Sequence, residues 1–113
     1  MSDDCLFCKI VSGDVPAEVV AENEHTVAFR DISPQAASHV LVVPREHHPD
    51  VASLAAARPE VAAALLVDVA KVARAEGSSS FRLVFNTGPD AGQTVFHCHG
   101  HVLSGEPLGW PPR

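Results

Sequence analysis

His97-Cys98-His99-Gly100-His101-Val102-Leu103 places an imidazole at every second position, with small or apolar residues between them. Side chains alternate across a β-strand, so His97, His99 and His101 fall on one face, about 7 Å from neighbour to neighbour. Cys98, Gly100 and Val102 fall on the other face, which suits packing against a core. Three imidazoles on one face have no packing rationale. They are three solvated or individually satisfied histidines, a metal site, or a reactive site. Two histidines at i and i+2 can share a zinc ion. Three in a row cannot, because the outer pair of an extended strand lies about 13–14 Å apart. At least one ring is therefore left for other work. Imidazole is nucleophilic and proton-mobile near neutrality, which suits phosphoryl transfer when a second imidazole can supply a proton.

Upstream lies Asn86-Thr87-Gly88-Pro89-Asp90-Ala91-Gly92-Gln93-Thr94. Its glycines allow close backbone approach to a ligand, and Asn86, Gln93 and Thr94 bring neutral donors. A glycine-rich turn alone says little, but this one leads directly into a strand predicted over Val95–Leu103. Further out, Val40-Leu41-Val42-Val43 is branched, continuous and closed by Pro44, the pattern of a strand buried on both faces. Val19–Ala21 and Thr26–Phe29 flank a polar stretch and read as a hairpin, and Phe81–Phe85 reads as another strand. Pro59–Glu76 carries Val61, Leu65, Val69 and Val72 on one helical stripe, with Pro59 at its start and Gly77 at its end. A shorter helix precedes it near Asp50–Ala56, and Leu6–Val11 supplies one or two turns. The fold class is α+β: an antiparallel sheet of about five strands, one long helix and a short N-terminal helix. A single domain is expected over 1–113, with an irregular tail over 104–113.

The chain has 113 residues, 46% hydrophobic and 19% charged, a globular composition. A net charge of −6 lacks the basic excess of a nucleic-acid binder. No apolar run approaches a membrane span, and the acidic start Met1-Ser2-Asp3-Asp4 does not read as a secretory signal. Three cysteines argue against a disulfide framework and for the cytoplasm, leaving Cys5-Leu6-Phe7-Cys8 for metal or redox work. Alone, that pair is half a zinc site or two buried thiols.

The triad segment, with Asn86-x-Gly88 and Gly92-Gln93-Thr94-Val95-Phe96 before it, resembles the signature of the histidine triad (HIT) family. Ser33-Pro34-Gln35-Ala36, His39-Val40-Leu41-Val42-Val43-Pro44 and Trp110-Pro111-Pro112 resemble its Hint branch, the purine nucleoside phosphoramidases. The resemblance runs from Cys5 to Pro112 and implies the fold of that family. It implies that His99 attacks the phosphorus of a nucleoside 5′-phosphoramidate and is transiently nucleotidylated, with no metal needed for the chemistry. His101 would contact the phosphate and protonate the leaving amine, and His39 would complete the cluster. Thr94 and the Gly92–Gln93 backbone would bind the phosphate, with Asn86 nearby. Asp31 would bind the ribose hydroxyls, while Phe29 and Ile32 would wall the base. Read without the resemblance, Asp31 is equally a turn residue, and Phe29 and Ile32 are equally core.

The same resemblance implies a structural zinc on Cys5, Cys8, His47 and His97, with His48 an alternative to His47. It also implies a homodimer through the long helix and one sheet edge, and a purine nucleotide as the small-molecule partner. Two other readings stay open: a dinucleoside polyphosphate hydrolase, and a nucleotide- or zinc-binding module without turnover. Gly100 stands where the family usually carries a bulky apolar residue, so looser packing behind His99 and His101 is expected.

Overall fold

In the computed structural model, which describes residues 4–112, the chain runs α1 (Leu6–Ser12), β1 (Val19–Glu22), β2 (Thr26–Arg30), β3 (Ser38–Pro44), α2 (Val51–Ala57), α3 (Pro59–Ala75), β4 (Phe81–Val84) and β5 (Gly100–Ser104). Met1, Ser2 and Asp3 of the acidic start, and Arg113 at the end of the tail, lie outside the described residues. The five strands form one antiparallel sheet in the order β1-β2-β3-β5-β4. The architecture is α+β, as the pattern of periods predicts.

β3 is the centre of the sheet, and all seven of its residues are buried. Its unbroken apolar run serves two cores. Val40 and Val42 pack with Val61, Leu65, Val69 and Val72, the stripe of α3. Leu41 and Val43 face the opposite side, with Val27, Phe29 and the α1 residues Phe7 and Cys8. Each fully buried Val or Leu contributes about 1.5–3 kcal/mol, so the sheet is clamped from both faces. The ends of α3 follow local rules: Pro59 opens it, and Gly77 at φ 87° closes it. Gly77 N–H donates to Arg74 O at 2.9 Å and Ser78 N–H to Ala73 O at 3.1 Å, a paired cap that needs a left-handed residue. Asp50 caps α2 by accepting from Ser53 N–H at 2.8 Å.

Two expectations are corrected. The strand predicted over Val95–Leu103 begins only at Gly100, and residues 95–99 are irregular. The register Val42↔Gly100 would set Cys98 opposite Pro44, which has no N–H to give, so the ladder stops there. Cys98 N–H turns instead to His48 O at 2.7 Å. The second correction concerns Gly100, behind which the packing is full. A Cβ there would meet Leu83 Cδ1 at 2.9 Å and Phe85 Cζ at 3.0 Å. Phe85 supplies the bulk that the strand lacks.

Beyond Ser104 the chain has no helix or strand up to Pro112; the Glu106 carboxylate accepts from Ala37 N–H, and Arg82 donates to Gly109 O at 2.5 Å. Among the described residues no helix is long and apolar enough to cross a membrane.

Candidate active site

The sidedness of the histidine segment survives the loss of its ladder. Cys98 and Val102 lie in the core under α3. His97 and His99 face α1, where the Phe7 ring stands edge-on to both, at 6.1 and 4.9 Å between centroids. His99 and His101 are neighbours at 5.1 Å, and His101 and His39 at 5.2 Å. His99 and His101 open on a cleft of about 410 Å³. Phe29, Asp31 and Ile32 from the end of β2 line it, as do Leu6, Phe7 and Ile10 of α1, and Thr94. Ile32 stands at the mouth, 98% exposed.

Hydrogen-bond partners fix which nitrogen of each ring carries a proton, because a carbonyl can only accept. His97 Nε2–H donates to Pro44 O at 2.8 Å, which leaves Nδ1 as a lone pair. His99 Nδ1–H donates to His97 O at 2.8 Å, which leaves Nε2 as a lone pair on a ring that lines the cleft. Gln35 N–H donates to His39 Nδ1 at 3.0 Å, so His39 carries its proton on Nε2. That Nε2–H donates to His101 Nδ1 at 2.9 Å, with Asp31 Oδ2 3.5 Å away. His101 then holds its proton on Nε2, a donor with no protein partner among the described residues. One ring therefore presents a lone pair beside another that presents a proton.

Burial pushes the His101 imidazole down to about 4, helped by His99 and His39, while Asp31 pulls it back up. His99 is also lowered by burial, against the His97 carbonyl and Asp31, which favour its charged form. His39 shifts down for the same reason, again opposed by Asp31. These rings are held as neutral imidazoles, the form that can attack or relay.

The loop before the segment behaves differently from its prediction. Gly92 N–H and Gln93 N–H are spent on Pro89 O and Gly88 O, at 3.1 Å each, within a 3₁₀ turn over Pro89–Ala91. The Gln93 amide is spent as well: it donates to Pro49 O at 2.6 Å and Val95 O at 3.0 Å, and accepts from Gly88 N–H at 2.9 Å. Gln93 therefore braces the loop, and its donors do not face a ligand. Thr94, exposed at the cleft, keeps an uncommitted hydroxyl. Asn86 lies off the cleft, in an adjoining cavity shared with His101 and Gln35, with one amide hydrogen on Ala91 O. Leu6, Phe7 and Ile10 also line the cleft, which the apolar pattern of α1 alone does not reveal. The signal was there, since Cys5 and Cys8 tie this short helix to the histidine segment.

Cys5, Cys8, His47 and His97 bring their ligand atoms within 4.8 Å of one another. Tetrahedral coordination with zinc's bond lengths sets edges of about 3.4 Å between nitrogens and about 3.6 Å between sulfur and nitrogen. Four of the six edges are 3.2 Å for His47–His97, 3.4 Å for Cys5–His97, 3.4 Å for Cys8–His47 and 3.5 Å for Cys8–His97, and the other two lie within 4.8 Å. The donor set also fits, since His97 Nδ1 is a lone pair backed by the Pro44 carbonyl on the far nitrogen. The four residues form a Cys/His cluster whose donor atoms could hold a metal ion. His47 is the member from its loop, because the His48 ring turns to Glu46 at 3.2 Å.

A two-faced antiparallel sheet gathers four histidines around its central strands and their lead-in, and two of them, His99 and His101, line the cleft. Residues 12–108 match the model of the HIT domain. The chain belongs to the HIT domain family. It is 37% identical over 111 residues to the purine nucleoside phosphoramidase of Escherichia coli K12, covering 96% of this chain and 93% of that one. An uncharacterized HIT-like protein of Synechocystis is 44% identical over 116 residues, 99% of each chain. The crystal structure of a HIT family hydrolase from Legionella pneumophila superposes with a TM-score of 0.93 at 44% identity, over 97% of this chain and 100% of that one.

Proposed function

We propose that this chain is a hydrolase of purine nucleoside 5′-phosphoramidates or related nucleotidyl adducts, acting through a nucleotidyl-histidine intermediate at His99. One observation carries this reading: His99 has Nδ1 pinned to a backbone carbonyl and its Nε2 lone pair open to the cleft, beside a proton on His101 Nε2. The name of the E. coli relative supports the same substrate class.

In the first step His99 Nε2 attacks phosphorus while the P–N bond breaks. The bonding pair leaves with the amine nitrogen, which takes the His101 Nε2 proton. The His97 carbonyl accepts from His99 Nδ1–H and stabilises the charge that develops on the ring. In the second step water attacks phosphorus, gives its proton back to His101, and the P–N bond to His99 breaks to release a nucleoside monophosphate. Asp31 binds ribose hydroxyls, Phe29, Ile32 and Phe7 wall the base, Thr94 holds a phosphoryl oxygen, Asn86 lies near the leaving side, and Gly92 and Gln93 shape the loop.

Cys5, Cys8, His47 and His97 would hold zinc in a closed structural site, whose chemistry is to lock α1 to the histidine segment. We place the protein in the cytoplasm, where its three free cysteines stay reduced. A homodimer through α3 and the β4 edge would cover Leu66, Val67 and Phe81, exposed at 53%, 55% and 41%; light scattering at twice the chain mass tests it.

The deciding experiment incubates adenosine 5′-phosphoramidate with the wild type and with His99→Ala. The wild type should release AMP and show a transient adduct of one nucleotidyl group by intact mass. The variant should bind AMP without turnover. A turning-over His99→Ala, or a wild type that binds AMP but releases none from any phosphoramidate, would refute the reading.

A further inference from the structure

The fold treats its three free cysteines differently. Cys98 packs in the core under α3, 1% exposed. Cys5 and Cys8 pack in the other core, and their Sγ atoms lie within 4.8 Å of each other. Cys8 N–H donates to Cys5 Sγ at 3.3 Å, so the Cys5 side chain bends over the first turn of α1 towards Cys8. A disulfide needs Cβ atoms about 3.5–4.5 Å apart, whereas residues three apart on a helical turn hold them at about 5–6 Å. The difference is within reach because Cys5 precedes the helix, on extended backbone at φ −77° and ψ 114°. A rotation at that residue closes the pair without unwinding α1.

A small oxidant has a way in. Cys5 lines a cavity of about 450 Å³ together with His47, Thr94, Val95 and Phe96. A water-sized molecule takes up about 30 Å³, so a peroxide fits with room to spare. Leu6, Thr94 and Val95 are shared between this cavity and the cleft of His99 and His101.

We infer that Cys5 and Cys8 are an oxidative modification site, which a small peroxide closes into a disulfide, taking two of the four donors away from the metal cluster. Cys5 Sγ, as the thiolate that a metal ligand must be, attacks one peroxide oxygen; the O–O bond breaks and hydroxide leaves. The Cys8 thiolate then attacks the Cys5 sulfur, so that the S–S bond forms, the S–O bond breaks and a second hydroxide leaves. The two sulfurs lose two electrons, the peroxide gains them, and two protons from solvent turn the hydroxides into water. The new bond lies within the start of α1, whereas a metal shared with His47 and His97 ties α1 to the loop after β3 and to the histidine segment. Because α1 supplies Leu6, Phe7 and Ile10 to the cleft, oxidation loosens one of its walls. In a reducing compartment such a disulfide is transient, as a sensing one is. The inference goes beyond the hydrolase reading and rests on the zinc site proposed with it.

The test treats the zinc-loaded full chain with hydrogen peroxide, then unfolds and alkylates it. Intact mass should show the loss of two hydrogens and a single alkylated thiol. Peptide mapping should place the disulfide between Cys5 and Cys8 and the alkyl group on Cys98. A chromogenic chelator should register one equivalent of zinc released in step with the disulfide, and amide exchange over α1 should quicken. Dithiothreitol with added zinc should reverse all of these. A zinc protein that keeps its metal and three free thiols overturns the inference and leaves the metal reading standing. So does a disulfide through Cys98, or a Cys5 sulfinic acid with no link to Cys8. Zinc lost ahead of the thiols, or α1 amides that exchange no faster, overturns it as well. A protein that takes up no zinc at the start removes the metal reading, and the inference with it.

Discussion

Gly100→Ala adds one methyl group at the single glycine of β5, a buried position. The new Cβ would lie 2.9 Å from Leu83 Cδ1, and 3.0 and 3.1 Å from Phe85 Cζ and Cε1, where ordinary contact begins at 3.4 Å. Leu83 and Phe85 are half-buried and pack against the core under α3, so each can give way only by losing some of that contact. Overpacking of this kind costs about 1–3 kcal/mol. Replacing glycine within a strand returns about 0.5–1 kcal/mol through the unfolded chain. The net expectation is destabilisation by about 1 kcal/mol, a fall in melting temperature of about 4 °C for a chain of this size. In a Phe85→Leu background the contacts with the ring are gone while the one with Leu83 remains, so the same Gly100→Ala change should cost less than it does in the wild type. The coupling between the two sites should therefore be about 0.5–1 kcal/mol. Guanidinium denaturation of the four proteins at one fixed concentration measures it. A Gly100→Ala protein with a higher midpoint than the wild type, with Phe85 in place, would show that the space behind the histidine segment is not filled.

Two further predictions concern the clusters. Cys8→Ser should abolish stoichiometric metal binding, read by a chromogenic chelator on the unfolded protein, and should destabilise the fold by more than about 3 kcal/mol; an unchanged melting curve would mean that the four residues hold nothing structural. Acidification should destabilise the protein through His101, whose folded value of about 4 lies below the ordinary 6.5. The unfolded chain binds the extra proton first, so this contribution is intact above about pH 6.5 and is lost as pH falls through about 4, removing about 2–3 kcal/mol. His101→Gln should flatten that limb of the denaturation-midpoint profile, and parallel profiles for both proteins would refute the assignment.

Much of the architecture was legible because it is governed by local rules. The unbroken run of β3, the stripe and caps of α3 and the alternation through the histidine segment depend on residues close in sequence, so period and punctuation reveal them. The pairing of Cys5 and Cys8 at the spacing of a metal clip was visible in the same way. Other features depend on register and distant partners. That Pro44 ends the β5 ladder follows from Val42 standing opposite Gly100, which no local pattern encodes. That the Gln93 side chain braces the loop follows from Pro49, and that His47 and not His48 joins the cysteines follows from how the chain leaves β3.

The sequence by itself determined that imidazoles would gather on one side of a sheet. Only the tertiary structure decided what each can do, because a ring's free nitrogen is whichever one its neighbours leave unbonded. Those neighbours are a carbonyl 53 positions away for His97 and, for His101, a ring 62 positions away. A donor or lone pair is a property of the hydrogen-bond partner as much as of the residue, and partners separated that far in sequence meet only once the chain has folded.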